Sequence, residues 1–419
     1  MTDRIGLKVA GLIKHAVAHA FGRHHGRVRG LPKQPAGSQT RPVAGMFRLV
    51  CVGLLLLFAG CGGSSGNSDN REISRGTRSF YMGFTPWPYE ATQSAINNTY
   101  SLIQASGDIV SHHLMVGIPW QEAYEGSALP GHVEDELATR ISLTGSQKKI
   151  VLSIDSLNTA RDDLAANWGE AGTEPRTPPW DTRSFSDPEV AEAYVDFALR
   201  MIERFEPDYF NYAPEISELI LNDVIKYSEF VTFSQRVYEA VKREHPDLPL
   251  LVSIALKTPG SAEAVAIAAG FPSILPYVDM VGVSAYPYAF FEHSERGDPA
   301  NLPEEWLQQI TELASNKPVA INETGWIAEN LEISSFGYSA ESNLSKQQDY
   351  VNELLAVANE LEMVFVIWFT MVDYDVLWQN ELGQDDLAKL WKDTGLYDEN
   401  INARPALDTW NSYYARERN

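Results

Sequence analysis

Cysteine is almost missing from this chain. Its 419 residues hold two, Cys51 and Cys61, and both precede residue 62. The rest of the chain therefore has neither a disulfide nor a reactive thiolate. Histidine is sparse there too. His112, His113, His132, His245 and His293 include no H-x-x-x-H or similar ligand pair, which argues against a structural metal. No G-x-G-x-x-G follows the first apolar run, so a dinucleotide fold is not indicated. Positive charge is also scarce. The net charge is -23, and the basic residues concentrate in residues 1–60, where Asp3 is the sole acid. The remaining body is more acidic still and repels phosphate backbones, which excludes nucleic acid as a partner. The acid surplus serves solubility.

The amino terminus contains one short hydrophobic run. In "MFRLVCVGLLLLFAGCGGSSGNSDN", Met46 and Arg48 open a basic region and Leu49 to Ala59 form an apolar stretch. That stretch is shorter than the ~20 residues of a membrane-spanning helix. It reads as a secretion signal, with an ordinary cleaved signal or an anchor helix as alternatives. It also resembles a bacterial lipoprotein signal, which implies lipidation of Cys61, although Phe58 stands where an aliphatic residue is usual. Residues 1–45 support no core and read as a basic extension or a mis-assigned start. Residues 46–61 are the signal, 62–78 a flexible polar tether, and 79–419 the body. The expected location is the cell envelope, lipid-anchored at the outer membrane or surface, or the periplasm or medium.

In the body, short apolar runs alternate with helical periodicity. Strands are predicted over 79–87, 108–113, 148–158, 207–217, 249–259, 278–288, 317–326 and 363–375. Between them lie helices over 133–144 and 228–245, a helical "SAEAVAIAAG" and a helix in "PEEWLQQITELAS". Val190, Tyr194, Phe197, Met201 and Phe205 mark one face of another helix, and "DDLAKLWKD" gives a last one before the tail. The strands are continuous apolar runs, as in a parallel sheet buried on both faces. Eight strand–helix units predict an α/β fold, a (β/α)8 TIM barrel with long loops; a doubly wound open sheet is the competitor.

Barrel chemistry sits at the carboxyl ends of the strands. Glu215 follows strand four and Glu323 ends strand seven, in "KPVAINETGW". Two acids placed so meet across the barrel mouth, as glycoside hydrolysis requires. Glu215 is expected to donate the proton and Glu323 to act as nucleophile. Tryptophan faces suit the C–H faces of sugars, so Trp326, Trp368 and Trp87 are candidate platforms, ahead of Trp120 and Trp378. Of the adjacent pair His112 and His113, one can face the axis, and His113 at the strand end is preferred. Asp155, Asn158 and Asp373 are candidate polar contacts, and Glu218 is a fallback for Glu215.

These motifs resemble the glycoside hydrolases of clan A, over roughly residues 79–411. "INETGW" is similar to the strand-seven signature, "VSAYPY" to strand six and "VIWFT" to strand eight. The resemblance implies a retaining two-glutamate mechanism on β-linked sugars with no cofactor. It implies that Tyr286 hydrogen-bonds the nucleophile and that Trp368 floors the sugar site. One departure stands out. The clan carries Asn directly before the strand-four Glu, where it binds the sugar 2-hydroxyl. This chain has "NYAPEIS", with Pro214 in that place and Asn211 three residues earlier. Either another group makes that contact, or the chain belongs to a divergent branch, or activity is lost and the barrel binds glycans without cleaving them. The expected partners are a carbohydrate substrate and, through the lipid, a membrane; the chain is expected to act as a monomer.

Overall fold

A computed structural model describes residues 76–292 and 295–419. The expectations for residues 1–75, including lipidation of Cys61, lie outside the described residues. Eight parallel strands close into a barrel: β1 (Tyr81–Phe84), β2 (Ile109–Leu114), β3 (Lys149–Ile154), β4 (Tyr209–Ala213), β5 (Leu250–Ala255), β6 (Met280–Ala285), β7 (Val319–Thr324) and β8 (Phe365–Trp368). Each pairs with its neighbours in sequence, and β8 closes on β1 with Phe84 beside Trp368. The chain thus has the (β/α)8 fold, and the open-sheet alternative is excluded.

The principal covering helices are α1 (Gln93–Ser106), α2 (Gly131–Leu143), α3 (Pro188–Phe205), α4 (Val224–Glu244), α5 (Ala262–Gly270), α6 (Gln309–Ala314), α7 (Leu344–Glu360) and α8 (Pro405–Tyr414). Their starts follow from local chemistry. The Thr92 hydroxyl accepts from the N–H of Ala95 to cap α1, and the Asp223 carboxylate accepts from those of Ile225 and Lys226 to cap α4. On α3 the expected face, Val190, Tyr194, Phe197, Met201 and Phe205, is buried.

Three expectations need correction. The helix expected across "PEEWLQQITELAS" is confined to α6, with turns before it. The helix expected in "DDLAKLWKD" shrinks to Lys389–Lys392, and the long last helix, α8, lies in the tail. Arg78, expected in the tether, is buried and pairs with Asp108 at 2.6 Å.

Side chains alternate through the barrel wall except where the register shifts on β4 and β7. Ile109, Val151, Leu251, Met280, Ala320, Phe365 and Ile367 pack together inside its lower half. Above them the inward positions turn small and polar: Ser111, Ser153, Asn211 and Ser253, all buried. Functional groups sit on the rim above these. Tyr194 of α3 braces that end, with its hydroxyl 2.9 Å from the carbonyls of both Ile154 and Tyr212, so the exits of β3 and β4 are tied to one helix.

Candidate active site

A cavity of about 230 Å³ opens at the carboxyl ends of the strands. Both Glu215 and Glu323 line it, with His113, Asn211, Trp87 and Arg161. Glu323 is the fifth residue of β7. The register between β6 and β7 shifts there, so Ser284 pairs with Glu323 while Val283 pairs with Ile321. Asn322 is the extra residue of this bulge, and a bulge re-aims the side chains that follow it. Glu215 lies beyond β4, after Pro214, with φ +56°. A non-glycine residue held in that region costs about 1 kcal/mol or more. The turn is held by β5: the N–H of Glu215 donates to Ser253 Oγ at 2.9 Å and that of Ile216 to the Ser253 carbonyl at 2.9 Å.

The two acids sit in different electrostatic settings. Tyr286 Oη donates to Glu323 Oε1 at 2.7 Å. Burial, and then the charge of Glu215, push Glu323 above the usual carboxylate range, while His113, the Tyr286 hydrogen bond and Arg161 pull against that rise. Glu215 faces Arg161, whose Nε lies 3.4 Å from Oε2. The Arg161 Nη1 donates to Asp155 Oδ2 at 2.7 Å, and His113 Nε2 is 2.8 Å from Asp155 Oδ1. Burial acts to raise Asp155, but Arg161 and His113 together hold it below its ordinary value. Burial acts to lower His113, but Asp155, with the charge of Glu323, raises it above its ordinary value against burial and Arg161. The chain His113–Asp155–Arg161–Glu215 thus spans the rim from β2 to β4.

The candidates divide by placement. His113 faces the cavity, and its neighbour His112 points out among the helices, 2.7 Å from Thr144 Oγ1. Trp87 lines the cavity; Trp326 and Trp368 do not. This corrects the expectation for both tryptophans as sugar platforms. Trp368 is the residue between inward Ile367 and inward Phe369, so the period of two turns it outward, where Nε1 donates to the Thr394 carbonyl at 2.9 Å. Trp326 lies past the end of β7, stacked on Tyr350 at 4.5 Å with Nε1 donating to Ser342. Tyr286 is buried behind Glu323 rather than on the cavity wall. Trp120 stacks on Trp180, and Trp378 donates to the Asp385 carbonyl. Asn158 caps its own loop through the N–H groups of Asp162 and Asp163, and Asp373 pairs with Arg404 at 2.6 Å. Glu218 pairs with Lys257 at 2.8 Å and is not on the cavity wall.

Sequence reasoning passed over Arg161, Asn322, Phe369 and Trp391, all of which line the cavity. Phe369 was legible by counting two from Ile367. Arg161 comes from a loop and Trp391 from the short helix Lys389–Lys392, and neither carries a pattern that announces it. Phe369 meets Trp87 at 5.6 Å between ring centroids, and together with Trp391 they give the cavity an aromatic side. Asp373, Asp375 and Asp393 approach one another away from it, but Arg404 and Lys392 pair with them, so their charge is already met by fixed cations.

No protein-family model and no curated protein matches this chain. Solved structures do. An exo-β-1,4-mannosidase from Opitutaceae bacterium strain TAV5 aligns with TM-score 0.58 at 16% identity, over 81% of this chain and 60% of that one. A β-galactosidase from the psychrophilic Marinomonas ef1 aligns with TM-score 0.50 at 9% identity, over 80% of this chain and 58% of that one. The chain therefore spans about three fifths of the length of these glycosidases and shares with them the (β/α)8 barrel fold.

Proposed function

We propose that this protein is a glycosidase that cleaves β-linked sugars by a retaining, two-glutamate mechanism. The observation that carries the reading is the convergence of Glu215 and Glu323, from β4 and β7, on one cavity with an aromatic side. Glu323 attacks the anomeric carbon as Glu215 protonates the departing oxygen; water, deprotonated by Glu215, then releases the sugar from Glu323. The Tyr286 hydroxyl keeps the Glu323 carboxylate aimed and stabilises its negative form. Asp155 holds Arg161 in place against Glu215. The aromatic side takes the apolar face of the ring. The two structural neighbours, a β-mannosidase and a β-galactosidase, are consistent with β-linked substrates. In this reading a lipid on Cys61 tethers a monomeric enzyme in the cell envelope.

The test is hydrolysis of a panel of aryl β-glycosides and polysaccharides by the full chain, with Glu323→Gln and Glu215→Gln alongside. Loss of turnover of about a thousandfold or more is expected for Glu323→Gln, with folding unchanged. An activated 2-fluoro sugar should label Glu323 covalently. A second reading, a barrel that binds glycans without cleaving them, is favoured by Pro214, which puts a side chain without an amide beside Glu215. Binding without labelling or turnover would select it.

A further inference from the structure

Two residues that meet in the cavity both carry strained backbones. Glu215 sits at φ +56° and Arg161 at φ +54°, in the left-handed region that favours glycine. Such residues persist where their surroundings fix them, and they gather at working sites. Arg161 is fixed from several sides. Its N–H donates to the Asn158 carbonyl at 2.9 Å, and its own carbonyl accepts from Asn222 Nδ2 at 3.3 Å. Asn222 ends the short helix Ser217–Asn222, which starts two residues after Glu215. One helix therefore holds the acid at its start and the arginine at its end. Lys226 of α4 donates to the next carbonyl, that of Asp162, at 2.9 Å. The guanidinium is only partly used. Nη1 donates to Asp155 at 2.7 Å and Nε to Glu215 at 3.4 Å, whereas Nη2 donates to no protein group among the described residues. The side chain lines the cavity and is 11% exposed, and Nη2 is one of the atoms that solvent reaches. Pro214, next to Glu215 on the cavity wall, has neither an N–H nor a side-chain donor. Nη2 supplies a donor that the residue before the acid does not.

We infer that Arg161 is a substrate-binding residue of this site: Nη2 donates to a ring hydroxyl of the sugar held between Glu215 and Glu323, and specificity depends on that hydroxyl. A sugar that fills the cavity displaces the water on Nη2. A guanidinium offers donors alone, so an N–H covered by a C–H face would be left unpaired at a cost. A hydroxyl oxygen accepts and removes that cost. A neutral hydroxyl suits this nitrogen better than a sugar carboxylate, because Asp155 and Glu215 already share the charge of Arg161. The inference rests on the glycosidase reading for where the ring lies; the contact itself needs no turnover.

The experiment is a cycle between protein and sugar. The full chain and Arg161→Met are assayed on 4-nitrophenyl β-glucoside, β-mannoside and β-galactoside and on the 2-, 3- and 4-deoxy analogue of each. The matching free sugars are titrated by calorimetry. For at least one sugar, one deoxy analogue should lose about tenfold or more in kcat/KM with the parent protein. With Arg161→Met, whose side chain has no donor, the same analogue should lose about twofold or less. A purely structural role for Arg161 gives a different result, because a distorted site weakens every analogue alike and leaves each deoxy penalty as it was. The inference is wrong if the penalties are equal in the two proteins, or if the parent shows none. Should Arg161→Met fail to fold with Asp155 left short of positive charge, the double variant Arg161→Met, Asp155→Asn removes both charges and decides by the same comparison. Failure of the glycosidase reading shows separately, as an Arg161-dependent hydroxyl preference in calorimetric binding with no hydrolysis of any glycoside.

Discussion

Glu323 is where opposing forces meet in one side chain. Burial and Glu215 disfavour its carboxylate, and Tyr286, His113 and Arg161 favour it. In Tyr286→Phe the hydrogen bond to the charged form is lost, so the value rises further. Under the proposed mechanism, in which Glu323 attacks as the carboxylate, the acid limb of kcat/KM should then move to higher pH; a pH–rate profile reads it. An unmoved limb would remove Glu323 from that role. The same burial carries a stability cost. A carboxyl raised in the folded state binds its proton longer than in the unfolded chain, so stability falls as pH rises from the usual 4.5 through the folded value. Glu323→Gln should therefore melt higher than the parent at pH 7, with the gain vanishing below pH 4.5.

Within single elements, β2 shows how a period of two separates function from packing. His113 reaches the cavity, while His112 is enclosed by the rings of Phe205 and Tyr100 at 5.0 and 6.4 Å. Burial, then the charge of Arg140, pulls His112 down to about 3. A histidine lowered in the fold gives stability that is full above its unfolded value and lost as pH falls from 6.5 toward 3. Urea unfolding of His112→Gln across that range should show a flatter acid dependence than the parent. An identical slope would mean His112 does not titrate as described. The alternation that made one of these two histidines inward was readable from sequence. The same rule on β8 would have chosen Phe369 over Trp368, but a tryptophan in a motif outweighed its parity.

Closure of the barrel depends on the last helix. Trp410 of α8 is fully buried, donates from Nε1 to the Ser106 carbonyl at 2.8 Å, and lies 4.8 Å from Phe84 and 6.3 Å from Trp368. It therefore packs on the seam where β8 meets β1. Trp410→Ala should cost about 3–5 kcal/mol, seen in chemical denaturation as a lower midpoint. A loss below 1 kcal/mol would show that the seam holds without α8. The strand–helix alternation was visible at this scale because each strand is a buried apolar run and each long helix an amphipathic one. The tail helix was hidden because its apolar positions follow Pro405 within a polar segment.

From the sequence alone came the barrel, the two strand-end glutamates and the inward histidine, since apolar period and strand parity are local properties written along the chain. Only the tertiary structure decided that Arg161 joins Asp155 to Glu215, that Trp391 and Phe369 line the cavity while Trp326 and Trp368 do not, and that the cavity reaches polar residues under the acids. Those features arise where residues from five or more strands converge, and their contacts depend on register shifts and loop paths that leave no local pattern.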